Sequence, residues 1–167
     1  VIEGTAGGDA LSGTRRSELL LGGDGDDYLA GGAGDDVLDG GAGNDLLFGL
    51  SGSDTYLFGR GSGADTIANA DTDPGRDDVV ALTGDLRETD IALGRDGNDL
   101  ILTIAGAADR LTVRGYFESG TAGGNAIDAI EFPNGSRWDR AEITERVLQA
   151  LAAEGADTLL ALATAAR

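Results

Sequence analysis

From Gly4 to Leu57 the chain repeats one nine-residue unit six times, starting at Gly4, Gly13, Gly22, Gly31, Gly40 and Gly49. No nonapeptide can bury its own apolar side chain, so each unit must stack on its neighbours. The clearest copies read GGDGDDYLA (22–30), GGAGDDVLD (31–39) and GGAGNDLLF (40–48). Glycine recurs at places one, two and four, where it tolerates positive φ and close backbone approach. The first six residues of a unit therefore read as a turn and the last three as a very short strand. Place eight is large and apolar in every copy: Leu11, Leu20, Leu29, Leu38, Leu47 and Tyr56. Two units make one 18-residue coil with a turn on each side, so repeats 1, 3 and 5 line one edge and repeats 2, 4 and 6 the other. A flexible glycine-rich linker fits the composition alone. The fixed period, the regular apolar place and the absence of proline before residue 74 argue against it.

Place six is a carboxylate in every copy: Asp9, Glu18, Asp27, Asp36, Asp45 and Asp54. On one edge such groups lie one strand spacing apart, about 4.7–4.9 Å. They repel one another unless a hard cation sits between them. Calcium suits such a site because it accepts about 6–8 oxygens, main-chain carbonyls included, in flexible geometry. Magnesium demands a stricter octahedron and should substitute poorly. The net charge of −18 is concentrated in the repeats: residues 1–78 hold 16 acids and 4 arginines, and residues 79–167 hold 14 acids and 8 arginines. Such acidity predicts repulsion from nucleic acid and from anionic membrane surfaces. Cysteine is absent, so no disulfide stabilises the chain, and with histidine absent as well, zinc and copper sites are not expected. No run approaches the ~18 apolar residues of a membrane span. The first residues, VIEGTAGGDA, lack the basic and apolar regions of a Sec-type signal peptide. The chain reads as the end piece of something longer.

After the repeats, Asp65 in the stretch GRGSGADTI (59–67) is placed to close a last, degenerate turn. The polar segment 71–78 around Pro74 marks a boundary. Strands are predicted at Val79–Thr83, Ile91–Leu93, Leu100–Ile104, Leu111–Val113 and Ile127–Phe132, separated by Gly, Asp and Asn turns. A helix is predicted from near Asp139, with Ile143, Val147, Leu148 and Leu151 at helical spacing. Tyr116, Phe117, Phe132 and Trp138 are expected to pack in the core, Trp138 where sheet meets helix.

The tandem unit resembles the calcium-binding nonapeptide of RTX, or haemolysin-type, proteins, which form parallel β-rolls. The segments DDVVAL, IALGRDGNDLILTIAG, RLTVRGYF and AIEFPNGSRW are similar to the domain that follows such repeats in large secreted bacterial proteins. The resemblance covers roughly residues 4 to 145. It implies an all-β fold: a right-handed parallel β-roll over 1–70, capped by a β-rich domain with a terminal helix over 71–151. The cap would close the open end of the solenoid and nucleate folding of the repeats. The Ala/Leu-rich tail, 152–167, resembles in position and character the uncleaved signal that addresses such proteins to type I secretion machinery; an ordinary docking helix is the plainer alternative. About four to five calcium ions are expected. Place-six side chains and Asp65 are the expected ligands. Carbonyls of places one to four would complete each site, with Gly22, Gly31, Gly40 and Gly49 at place one and Asp24, Ala33, Ala42 and Ser51 at place three; Asp24 adds a side chain. Sites are expected between repeats 3 and 5, 4 and 6, 1 and 3, and between repeat 5 and the Asp65 turn. Arg16 and Glu18 compromise the one between repeats 2 and 4.

No enzyme is expected. Histidine, cysteine and lysine are missing, no G-x-S-x-G elbow occurs, and a P-loop needs lysine. Gly59–Ala64 fits a relaxed dinucleotide fingerprint but no βαβ pattern surrounds it. The Asp73–Pro74 bond is chemically labile, with no sign of a cleavage role. The expected function is a calcium-driven folding switch in a larger secreted or cell-surface protein (toxin, adhesin or exoenzyme), monomeric and joined to upstream domains of the same polypeptide. A calcium-rigidified adhesion or carbohydrate-binding accessory is the alternative; it would call for an exposed aromatic stripe, and the repeats offer only Tyr28 and Phe48, both expected to be packed.

Overall fold

A computed structural model describes residues 1–69, 71, 75–118 and 127–165, with backbone alone for 157–165. The Asp73–Pro74 bond and the last two residues of the tail lie outside the described residues. The repeats form β1 (Ile2–Glu3), β2 (Ala10–Ser12), β3 (Leu19–Asp24), β4 (Tyr28–Ala33), β5 (Val37–Ala42), β6 (Leu46–Ser51) and β7 (Thr55–Phe58). Successive strands alternate between two sheets, and partners within a sheet are parallel with an 18-residue offset, such as Leu20 opposite Leu38 and Leu29 opposite Leu47. This is a parallel β-roll.

The strands are longer than their apolar triplets. β3, β4, β5 and β6 each span six residues, running from place seven through place three of the next unit. The expected six-residue turn therefore shrinks to places four to six. Places two and three stay in ladder register, with Gly23 opposite Gly41 and Gly32 opposite Leu50.

Both sheets continue beyond the repeats. β8 (Ala64–Ile67), β9 (Val79–Leu82), β10 (Ile91–Asp96), β11 (Asp99–Ile104), β12 (Arg110–Val113), β13 (Ala129–Glu131) and β14 (Arg137–Asp139) precede one helix, α1 (Arg140–Ala165). One sheet runs β1-β3-β5-β7-β9-β13-β14 and the other β2-β4-β6-β8-β12-β11-β10. The parallel order persists through β9–β13 and β8–β12, then gives way to antiparallel β13–β14 and β12–β11–β10. Solenoid stacking thus ends in hairpins, and α1 packs beside β10, β13 and β14.

The core is two columns of side chains. Ile2, Leu20, Leu38, Tyr56, Val80, Ile130 and Trp138 follow one another across the first sheet. Leu11, Leu29, Leu47, Ile67, Val113 and Leu100 do so across the second. One buried cluster joins roll and cap. Trp138 sits at the junction of sheet and helix, its ring 4.6 Å from that of Phe132.

Three expectations change. Among the described side chains of α1 only Ile143 and Val147 are buried, while Leu148 and Leu151 are exposed, because the helix meets the sheet along its first turns. The tail begins inside that same helix rather than after it. Tyr28 is 44 % exposed on the outer sheet face, its ring 5.1 Å from that of the half-buried Phe48, because it occupies place seven, which points away from the core.

Candidate metal centre

Place six sits where each turn re-enters a strand, and the roll stacks these positions into two ladders. In each rung the amide of one place-six residue donates to the carboxylate of the next coil. On one edge the donations run Asp9 to Asp27 (2.7 Å), Asp27 to Asp45 (2.8 Å) and Asp45 to Asp65 (3.0 Å). On the other they run Glu18 to Asp36 (2.7 Å), Asp36 to Asp54 (2.9 Å), Asp54 to Asp78 (2.9 Å) and Asp78 to Asp128 (3.0 Å). Every predicted place-six residue and Asp65 therefore lies on a ladder.

The bond to Oδ1 uses half of each carboxylate. In Asp27, Asp36, Asp45 and Asp54 the buried Oδ2 has no hydrogen-bond partner. A buried carboxylate oxygen without a partner is costly. These four oxygens are left able to accept a positively charged partner. Among the described residues no three acidic side chains converge on one point. Carboxylates alone do not make a site, and main-chain carbonyls must complete it, as calcium accepts and zinc seldom does. The place-three carbonyls of Ala42 and Ser51 each accept one amide, from Gly25 (2.8 Å) and Gly34 (2.9 Å). Each retains a second lone pair. The donor set is all oxygen and hard, and it fits calcium.

Glycine serves the turns in two ways. In repeats 3 to 6 those at places two and four have positive φ, as at Gly23, Gly32, Gly25 and Gly34. Those at place one do not, but a Cβ on Gly22, Gly31, Gly40 or Gly49 would overlap Oδ2 of its own unit's aspartate. The open oxygen is thus held against the place-one backbone. Leu50 stands at place two of the last unit with φ +77°, the one non-glycine with positive φ among the described residues.

The first coil differs. Thr5 and Thr14 occupy place two, and each binds the carboxylate of its own unit. Asp9 Oδ2 accepts from Thr5 N (2.6 Å) and Thr5 Oγ1 (2.8 Å). Glu18 accepts from Thr14 N (2.9 Å) and from the Thr14 hydroxyl. These bonds, the hydroxyl's foremost, lower the Glu18 pKa. Asp9 and Glu18 are therefore already satisfied, and Arg15 and Arg16 stay in solvent. Asp24 is also exposed.

Several residues escaped sequence reasoning. Asp78 and Asp128 are rungs of the ladder. Each opens an Asp-x-apolar-x stretch, DVVA (78–81) and DAIE (128–131), like places six to nine of a repeat, but offsets of 24 and 50 residues hide the period. Asp109 accepts the amides of Gly61 (3.0 Å) and Gly63 (2.8 Å) and closes the degenerate turn. Place five forms a solvent-side ladder: Ser53 N donates to Asp35 (2.9 Å) and Asn44 N to Asp26 (2.8 Å).

Burial drives five of the ladder carboxyls upward in pKa. Asp54 and Asp65 are pushed up to about 7, first by desolvation, with repulsion from Asp78 and Asp36 on Asp54 and from Asp45 on Asp65. Asp36, Asp45 and Asp78 are raised for the same leading reason. A carboxyl with a raised folded pKa holds its proton longer when folded, so stability falls as pH rises from the ordinary 3.8 towards about 7. Far-UV circular dichroism in EDTA should show less β-structure at pH 8 than at pH 5. More β-structure at pH 8 than at pH 5 would contradict this electrostatic picture.

Two family models match parts of the chain. Residues 21–56 match the family model described as RTX calcium-binding nonapeptide repeat (4 copies). Residues 99–142 match the one described as haemolysin-type calcium binding protein related domain. The repeat match omits the first coil, whose turns carry threonine at place two. Over 107 residues the chain is 39 % identical to the iron-regulated protein FrpA of Neisseria meningitidis serogroup C, which covers 64 % of this chain and 9 % of that protein. The chain thus spans under a tenth of that relative's length.

Proposed function

We propose that this chain, an array of RTX calcium-binding nonapeptide repeats followed by a haemolysin-type calcium binding protein related domain, is a calcium-driven folding module of a larger exported protein. The observation that carries the reading is the set of four buried, unpartnered Oδ2 atoms on Asp27, Asp36, Asp45 and Asp54. Calcium, when bound, supplies two positive charges and a preference for carboxylate and carbonyl oxygens. Asp27 and Asp45 would hold it on one edge and Asp36 and Asp54 on the other, with carbonyls of places one to four, Gly22, Gly31, Gly40, Gly49, Ala33, Ala42 and Ser51 among them. About four ions is the number the open oxygens favour.

Without a cation these aspartates repel and their burial is opposed, so the turns do not close. That state suits passage through a narrow export channel where calcium is scarce. Extracellular modules bind calcium with Kd of about 10⁻⁴ to 10⁻³ M. A concentration ten times Kd stabilises by roughly 1.4 kcal/mol per site, and four sites by roughly 6 kcal/mol. That is comparable to the stability of a small domain. Metal binding and folding would be one event. The end of α1 is the proposed address for type I secretion machinery, the cap the proposed folding template, and the compartment extracellular or cell-surface. The module is assigned no catalysis.

The test is calcium stoichiometry by equilibrium dialysis. Asp36→Asn and Asp45→Asn should each bind fewer ions and need more calcium to fold. Glu18→Gln should match the parent, because Thr14 already holds that carboxylate. Unchanged stoichiometry in both aspartate variants would overturn the reading. One observation favours the alternative, a carbohydrate-binding accessory: the exposed Tyr28 ring beside Phe48. Saccharide binding by the folded chain that is lost in Tyr28→Ala would establish it.

A further inference from the structure

The ladder on the Glu18 edge does not stop with the repeats, and what changes beyond them is the partner of the second carboxylate oxygen. The Asp54–Asp78 rung has the same amide-to-Oδ1 bond as the rung above it, 2.9 Å in both. In Asp36 and Asp54 the other oxygen has no partner. In Asp78 that oxygen accepts from Arg76 Nε at 2.6 Å and from Asn69 Nδ2 at 2.7 Å. The pair is buried, with side-chain exposures of 5 % for Arg76 and 0 % for Asp78. One rung further, Asp128 takes the Asp78 amide on Oδ2 and faces Arg140 Nε at 3.2 Å with Oδ1. Counting Asp78 as place six, Arg76 stands at place four, where repeats 3 to 6 carry glycine.

We infer that the Arg76 guanidinium is a resident counter-cation that takes, at Asp78, the position a divalent cation takes at the repeat aspartates, so that this rung forms without metal and loss of the guanidinium opens it to calcium. The inference rests on the calcium reading of the roll. A guanidinium is permanently charged and offers directed N–H donors. It meets the same need as a metal ion, a positive charge against a buried carboxylate, but it is covalently part of the chain. Asn69 fits the same account: its amide nitrogen supports Asp78, while its oxygen accepts the Leu50 amide (2.9 Å) and ties the rung to the last repeat. Asp71 accepts the Gly52 amide (3.3 Å), adding a third acid near Asp54. The metal column would therefore have a built end. Asp54 would be the last aspartate of this column to hold calcium, and Asp78 would take none.

The experiment compares the full chain with Arg76→Ala and Arg76→Lys by equilibrium dialysis at saturating calcium. Arg76→Ala should bind one more calcium than the parent, and Arg76→Lys, which keeps a cation, the parental number. An unchanged or lower number in folded Arg76→Ala would overturn the inference. A parent that binds no calcium would sink the calcium reading instead. Should Arg76→Ala fail to fold, hydrogen exchange on the parent decides. In EDTA the amides of Asp54 and Asp78 should stay protected while those of Asp27 and Asp36 exchange. Asp54 protection that appears only with calcium, in step with Asp36, would contradict the resident-cation role.

Discussion

Leu38→Ala is expected to cost about 2–5 kcal/mol of unfolding free energy in saturating calcium, the range for emptying a packed core position. Leu38 is fully buried and lies between Leu20 and Tyr56 in the first core column. In a solenoid each coil contacts only its neighbours, so the cavity cannot be filled from elsewhere in the fold. The loss also falls between the rungs of Asp36 and Asp54, so the calcium midpoint for folding should rise. Leu148→Ala, on the exposed face of α1, should change stability by less than about 0.5 kcal/mol. Denaturant titration at fixed calcium measures both. A Leu38→Ala loss below about 1 kcal/mol would mean that the column is not the packed core described here.

Gly41→Ala should be almost as damaging, by about 3–4 kcal/mol, for a reason that apolar burial does not contain. Gly41 has φ +91°, which costs an L-residue about 1–2 kcal/mol. A Cβ there would also overlap the main chain of Gly23 in the coil above. Main chain cannot swing aside as a side chain can, so the coils must separate and the adjoining ladder bonds stretch. Gly97 provides the control, with φ +58° but nothing within 4 Å of an added Cβ. Gly97→Ala should show the conformational cost alone, about 1–2 kcal/mol. Equal losses at the two positions would show that close coil packing contributes nothing.

The sequence exposed the roll well because its period is a direct image of its geometry. Leu20, Leu38 and Tyr56 recur at 18 residues and stack at that offset. Asp27 and Asp45 do the same on the opposite edge. Legibility fails where the offset changes. Asp78 continues the column of Asp54 at 24 residues and Asp128 that of Asp78 at 50, so neither belongs to any visible repeat. Arg76 reads as one basic residue in a polar turn, and only the fold places it on a buried carboxylate. Strand length is not legible in the repeats because glycine reads as turn, whereas Gly23 and Gly32 carry the ladder through positive φ. Place-one glycine proved necessary for another reason, the space taken by the place-six carboxylate. Leu148 and Leu151 follow the helical period of Ile143 and Val147, but periodicity does not say where the sheet beneath a helix ends. Thr5 and Thr14 stand at place two, where repeats 3 to 5 carry glycine, and each satisfies the carboxylate of its own unit.

Four open carboxylate oxygens in a metal-fitting roll make one claim central: the β-structure of the repeats depends on calcium. Far-UV circular dichroism of the full chain, titrated with calcium and separately with magnesium from an EDTA baseline, tests it most directly. A cooperative rise in β signal is expected with calcium, with little response to magnesium at the same concentrations and reversal on chelation. Full β signal in EDTA at pH 8, unchanged by calcium, would contradict it.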